Sequence, residues 1–219
     1  MSATQPLDFN DLPDEVMQEL GEVICQEMRS RRTVRDFSSR AIPERVLEAC
    51  LMAAGTAPSG ANLQPWHFAV VRGGEMKKQI REAAEQEERA FYDGRAPDEW
   101  LDVLSHLCTD ASKPFLEVAP ALIVIFQKSK TTDHRGVESK TYYPKESVGI
   151  ATGFLIAALH RVGLATLTHT PCSMKFLNKL LGRPSGEKPF LLLVVGYPSE
   201  DCKVPVIEKK PIDEIVSFY

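Results

Sequence analysis

The chain has 219 residues, 43% of them hydrophobic and 26% charged, which are ordinary statistics for a globular protein able to bury one sizeable core. Its 26 basic and 30 acidic residues leave a net charge of −4, without the basic excess that a phosphate-tracking surface requires, so no nucleic-acid partner is expected. The amino terminus lacks the basic flank and apolar run of a secretory signal, and the longest apolar stretch, Val148 to Leu159, is well short of the ~20 residues that span a bilayer; a cytoplasmic protein without a membrane partner is expected.

In chain order, Val16, Leu20, Val23 and Ile24 recur at helical spacing after Pro13 and predict an amphipathic helix over about 14–28. A second helix opens at Pro43, carries Val46, Leu47, Cys50, Leu51 and Ala54, and stops at Gly55. The stretch 56–65 reads as a loop that enters a buried strand over 67–71, followed by a helix over about 74–91. Residues 92–119 mix charge, Gly94, Pro97 and Pro114 with a short amphipathic piece around 100–107, the make-up of an insertion used as a lid or binding loop.

The core resumes with a strand over 121–126. A helix over 147–162 is apolar on nearly all faces, with Gly149 and Gly153 spaced to admit another helix, and is expected at the centre of the fold. Strand, helix and strand follow over 164–168, 174–181 and 190–195. In the extended tail from Pro198, Ile212, Ile215, Val216 and Phe218 have little of their own chain left to pack on, so a partner subunit is expected to take them. This order predicts an α+β sandwich with mixed strand directions, and no G-x-G-x-x-G follows a strand, so a dinucleotide-binding Rossmann domain is not indicated.

Two segments carry chemistry. Arg31, Arg32 and Arg35 form a dense anion-binding cluster just past the first helix. In the 56–66 loop, small residues let backbone N–H groups approach a ligand, while Asn62 and Gln64 offer paired donors and acceptors. The five cysteines form no C-x-x-C pair, and His67, His106, His134 and His160 are scattered, so reduced thiols and no metal site are expected.

The S-R-R-T-V-R segment at 30–35, the A-P-S-G-A-N-L-Q-P-W-H-F loop at 57–68, the S-V-G-I-A-x-G-x-L-x-x-A helix at 147–158 and the G-Y-P at 196–198 together resemble the signature blocks of the flavin-dependent nitroreductase superfamily. They stand in that order and span almost the whole chain. The resemblance implies a single α-β-α sandwich domain with a mixed central sheet, in a domain-swapped homodimer with FMN at the subunit interface; the tail, about 198–219, would wrap the partner. It places Arg31, Arg32, Thr33 and Arg35 around the FMN phosphate and pyrimidine edge, with Pro58, Ser59 and Gly60 on the other side of the ring. Lys209 would add a phosphate contact, with Lys210 the less favoured substitute, and Thr168, His169 and Thr170 would also meet the flavin.

Within the superfamily, two places resemble the iodotyrosine deiodinases. Thr170 stands where they carry a hydroxyl at flavin N5, a group able both to donate and to accept there, which suits one-electron transfer. Glu88, Tyr92 and Lys113 stand where their lid presents a glutamate, a tyrosine and a lysine to the ammonium and carboxylate of a free amino acid; here the lid would run over about 88–114. The Ala61 N–H would hold the substrate phenolate. His169 departs from the threonine that many deiodinases have, and N-L-Q at 62–64 is closer to general nitroreductases.

The activity implied is reductive dehalogenation of 3-iodo-L-tyrosine and other halotyrosines. The alternative is a general nitroreductase or quinone reductase working by hydride transfer. Electrons would come from NAD(P)H or from a flavin- or ferredoxin-type reductant.

Overall fold

The computed structural model describes residues 4–92, 110–132 and 136–219, and these divide into two units, 1–32 and 33–219. The first holds helix α1, Asp14–Ser30, opened by Pro13 and two acidic residues in its first turn. The expected apolar stripe is present, yet α1 buries no residue, and Val16, Leu20, Val23 and Ile24 all remain exposed.

In the second unit, helix α2, Glu44–Gly55, leads through a one-turn 3-10 helix at Gly60–Asn62 into strand β1, Trp66–Val71, and then helix α3, Gly74–Tyr92. After the short helix α4, Phe115–Val118, come strand β2, Ala121–Lys128, and a hairpin of β3, Lys130–Thr132, with β4, Glu138–Lys140. Helix α5, Pro144–Arg161, strand β5, Ala165–His169, helix α6, Lys175–Leu180, and strand β6, Glu187–Gly196, complete the sandwich, and a 3-10 turn at Ile212–Glu214 interrupts the tail. The predicted core elements therefore all form, with ends displaced by a few residues. The hairpin, α4 and the two 3-10 turns are additions, too short for hydrophobic periodicity to register. The amphipathic piece expected around 100–107 lies outside the described residues.

The four-stranded sheet has the order β1-β2-β6-β5, with antiparallel ladders throughout. Among the described residues its parallel component is the bridge between Thr33 and Thr166 at the outer edge of β5, where the Val34 N–H donates to the Thr166 carbonyl at 3.2 Å. The central strands β2 and β6 are covered on both faces, which is why they read as continuous apolar runs. Ala121, Ile123, Ile125, Leu193 and Val195 face a core shared with α2 and α5, including Leu47, Val148, Leu155 and Leu159. Leu122, Val124, Phe126, Leu192 and Val194 face a second core with Ile80 and Ala84 of α3, Phe115 and Leu116 of α4, and Leu177 of α6.

One expectation needs correction. A Cβ added at Gly153 would meet nothing within 4 Å and one at Gly149 only the Phe190 ring at 3.9 Å, so among the described residues no helix approaches that face. Helix α5 buries the stripe Val148, Ala151, Leu155 and Leu159, while Ile150 and Phe154 on its other side remain exposed. It is half core and half apolar surface.

Ile125 is fully buried between β1 and β6. Ile125→Ala removes packed methylenes and leaves a cavity, so a loss of about 2–5 kcal/mol is expected, read as a lower urea midpoint at an unchanged slope.

Candidate active site

The 56–65 loop is held in a shape that side chains ordinarily avoid. Ala61, Asn62 and Gln64 all have positive φ, at 52°, 53° and 47°, a conformation that costs non-glycine residues about 1–2 kcal/mol each. The Ser59 hydroxyl oxygen accepts the Gln64 N–H at 3.0 Å, the Asn62 N–H donates to the Ser59 carbonyl at 3.0 Å, and buried Leu63, Pro65 and Trp66 anchor the exit. Gly60 has to lack a side chain, because a Cβ there would lie 2.8 Å from the Tyr142 carbonyl oxygen. Non-glycine residues held in left-handed backbone by surrounding structure concentrate at ligand clamps. Pro58 and Ala61 are exposed on this loop, while Ser59 and Gly60 are half-buried.

The expected lid anchors meet through α3. Successive turns of that helix carry Lys77, Arg81, Glu85 and Glu88 along one side. Lys77 Nζ donates to the Ala119 carbonyl at 2.7 Å, and burial lowers its pKa against the opposing pull of Glu117. The Arg81 guanidinium bridges Glu85 at 3.1 Å and Glu117 at 2.7 Å. Buried Glu85 in turn accepts the backbone N–H of Lys113 at 2.8 Å. Fixed in this way, Lys113 turns its ammonium to Glu88 at 3.5 Å and donates to the Asp110 carbonyl, with side-chain exposures of only 4% for Lys113 and 13% for Glu88. Tyr92 is the last residue of α3; the expectation for its side chain, like the lid over 93–109, lies outside the described residues.

At the end of β5, Thr168 and Thr170 are exposed, whereas His169 points to the opposite face and is only 8% exposed. Its ring packs edge-on against Phe115 with centroids 5.8 Å apart. The Nε2 atom is buried and has no hydrogen-bond partner. Burial, then the positive charges of Lys113 and Arg35, push the His169 pKa down to about 4, so the imidazole is neutral at pH 7.

The structure thus brings together Glu88 with Lys113, and it sets Lys113 and Arg35 close enough to His169 for their positive charges to act on it. Thr33 and Arg35 lie on the segment that runs along the β5 edge, while Arg31 and Arg32 belong to the first unit, beside α1. The Pro58–Ala61 loop is built separately against Tyr142. Lys209 is exposed in the tail, where Lys210 is engaged by Glu214 at 3.5 Å. The Arg81–Glu85–Glu117 network was missed in the sequence, although the i, i+4 spacing of Lys77, Arg81 and Glu85 was visible there. Among the described residues no group of His, Cys, Asp and Glu side chains could hold a metal, and no helix is long and apolar enough to cross a membrane.

The family model for the nitroreductase family matches residues 28–197, and the chain belongs to that family. Within it, the chain is 51% identical over 207 residues to an iodotyrosine deiodinase of Haliscomenobacter hydrossis, covering 94% of this chain and 93% of that one. It is 42% identical to iodotyrosine deiodinase 1 of Mus musculus, over 96% of this chain and 74% of the mouse protein. A crystal structure of oxidised iodotyrosine deiodinase bound to FMN and 3-iodo-L-tyrosine matches with a TM-score of 0.76 at 33% identity, covering 89% of this chain and all (100%) of that one. The FMN-bound nitroreductase of Bacteroides fragilis, at 20% identity and a TM-score of 0.65, shares the fold.

Because His169 has a folded pKa of about 4 against 6.5 when unfolded, the unfolded chain binds its proton first as pH falls. Its contribution to stability is whole above pH 6.5 and is lost progressively towards pH 4, by roughly 3 kcal/mol for a shift of this size. His169→Phe should lack that component, seen as a smaller drop than wild type in unfolding free energy between pH 7 and pH 4.5.

Proposed function

We propose that this protein is an FMN-dependent reductive dehalogenase that converts 3-iodo-L-tyrosine, and other halotyrosines, to tyrosine and halide. The reaction takes up two electrons and one proton for each halide released, and the electrons originate from NAD(P)H or from a flavin- or ferredoxin-type reductant. The observation that carries this reading is the nearly buried pair of Glu88 and Lys113, one carboxylate and one ammonium at 3.5 Å, which supports it because a zwitterion could exchange each of its charges into such a pair.

The residues present fit FMN. In the second unit a left-handed loop of small residues can bring backbone N–H groups to a flat heterocycle, and Arg35 supplies a cation suited to its phosphate. Arg31, Arg32, Thr33, Arg35 and Lys209 would hold the phosphate and pyrimidine edge, and Pro58, Ser59, Gly60, Thr168, His169 and Thr170 the ring. When bound, FMN supplies the redox chemistry that no side chain here can perform. Glu88 takes the substrate ammonium, Lys113 the carboxylate, and Tyr92 donates to that carboxylate. The Ala61 N–H would hold the phenolate, while the Thr170 hydroxyl would donate or accept at the flavin N5. A lid over 88–114, as the resemblance implies, would exclude water from the reacting carbon.

A homodimer completes the site in this reading. Three apolar surfaces support it: the α1 stripe, the Ile150 and Phe154 face of α5, and the tail residues Ile212, Ile215 and Phe218, all exposed on the single chain.

The first test measures iodide release anaerobically from 3-iodo-L-tyrosine and from 2-iodophenol, with a nitroaromatic as the competing substrate. Turnover of the amino acid alone is expected; equal turnover of the phenol, or preference for the nitroaromatic, transfers the assignment to a general nitroreductase. Lys113→Ala should lower kcat/KM for 3-iodo-L-tyrosine about 30- to 100-fold, equivalent to roughly 2–3 kcal/mol for a lost charged hydrogen bond. For the dimer, Phe154→Glu is expected to give a monomer in sedimentation velocity that binds FMN poorly; an unaltered dimer removes α5 from the interface.

A further inference from the structure

Helix α3 brings two carboxylates to Lys113. Glu85 and Glu88 stand on adjoining turns, and both reach residue 113: Glu85 accepts its backbone N–H at 2.8 Å, while a Glu88 oxygen lies 3.5 Å from its Nζ. Both carboxylates are withdrawn from solvent. Little water screens a charge in such a place, so either of them would attract the ammonium strongly if nothing else neutralised it. The ammonium is nevertheless paired with Glu88.

The reason lies one turn back along α3. Arg81 Nη1 donates to the second Glu85 oxygen at 3.1 Å, and Arg81 Nε donates to Glu117 at 2.7 Å. The guanidinium therefore neutralises the deeper carboxylate, and the shallower one is left to the ammonium. Without Arg81, residue 113 would have two carboxylates against its one cation. A ligand carboxylate approaching that cation would meet repulsion from Glu85 and competition for the same ammonium.

Resting on the functional reading above, we infer that Arg81 is a positioning residue that acts through charge: by occupying Glu85 it keeps that carboxylate from competing with the substrate for the Lys113 ammonium. Arg81 itself touches no ligand in this scheme. The preference for an amino acid over the amine that lacks its carboxylate thus depends on a guanidinium outside the site.

Ligand affinity tests this on the oxidised, FMN-loaded protein, in which no turnover occurs, with flavin fluorescence as the readout. The ligands are 3-iodo-L-tyrosine and 3-iodotyramine, which keeps the ammonium and lacks the carboxylate. Arg81→Gln should weaken 3-iodo-L-tyrosine about 10-fold, the size of one lost charge-assisted hydrogen bond, while 3-iodotyramine, a cation, holds or gains affinity. Adding Glu85→Gln to that variant should restore most of the loss, because the amide oxygen still accepts the Lys113 N–H and carries no charge. Arg81→Lys keeps a positive charge beside Glu85 and should retain the affinity. Glu117→Gln weakens the same link between α3 and α4 but leaves Arg81 on Glu85, so both ligands should bind as in the wild type.

A brace without an electrostatic role predicts the opposite pattern: both ligands weaken together, the double variant is no better than Arg81→Gln, and Glu117→Gln is impaired as well. Any of these results would overturn the inference, as would wild-type affinities in Arg81→Gln or a 10-fold loss in Arg81→Lys. If the unmodified protein binds 3-iodotyramine as tightly as 3-iodo-L-tyrosine, or binds neither, the functional reading itself falls, and this inference with it.

Discussion

Burial of β2 and β6 on both faces governs where everything else can go. Alternate residues of these strands belong to opposite cores, so Ile123 and Leu193 need α2 and α5 above them, and Leu122 and Leu192 need α3, α4 and α6 below. Flanking strands β1 and β5 close the sheet on either side, and the functional segments lie at their ends. The left-handed loop enters β1, and the Thr168–Thr170 stretch leaves β5. The sheet thus supports the residues proposed to hold a ligand.

Below the sheet, polar groups are kept only where they are paired. Lys77 is tied to the Ala119 carbonyl, Arg81 to Glu85 and Glu117, and Glu85 to the backbone of Lys113. The chain of contacts fixes both the N–H and the ammonium of Lys113 before any ligand is considered, which makes the ammonium a directed group rather than a mobile one. His169 is the exception to this pairing, a polar ring set into the Phe115 side of the core.

A single chain also leaves apolar side chains exposed on one face of α1, on one of α5 and at the end of the tail. Helix α5 explains why its sequence looked wholly buried. One stripe packs on the sheet, while the Gly149–Gly153 side meets nothing within 3.9 Å and faces outwards. A hydrophobic pattern states that a face is to be covered, without stating by which chain.

How much was legible follows from the range of each interaction. Helix and strand periods, the Gly55 stop, the small-residue loop and the arginine cluster depend on neighbours in sequence, and the residue order alone set them. It also named Glu88, Tyr92 and Lys113 as candidates, through their resemblance to known lid positions, while the ion pair between Glu88 and Lys113 came from the structure. Only the tertiary structure decided that Gly60 lies against Tyr142, that Arg81 and Glu85 brace Lys113, and that His169 turns away from Thr168 into a core beside two cations. Those outcomes depend on which strand borders which, and the effect of Arg35 and Lys113 on His169 has no local signature because residues so far apart in sequence become neighbours only through the sheet.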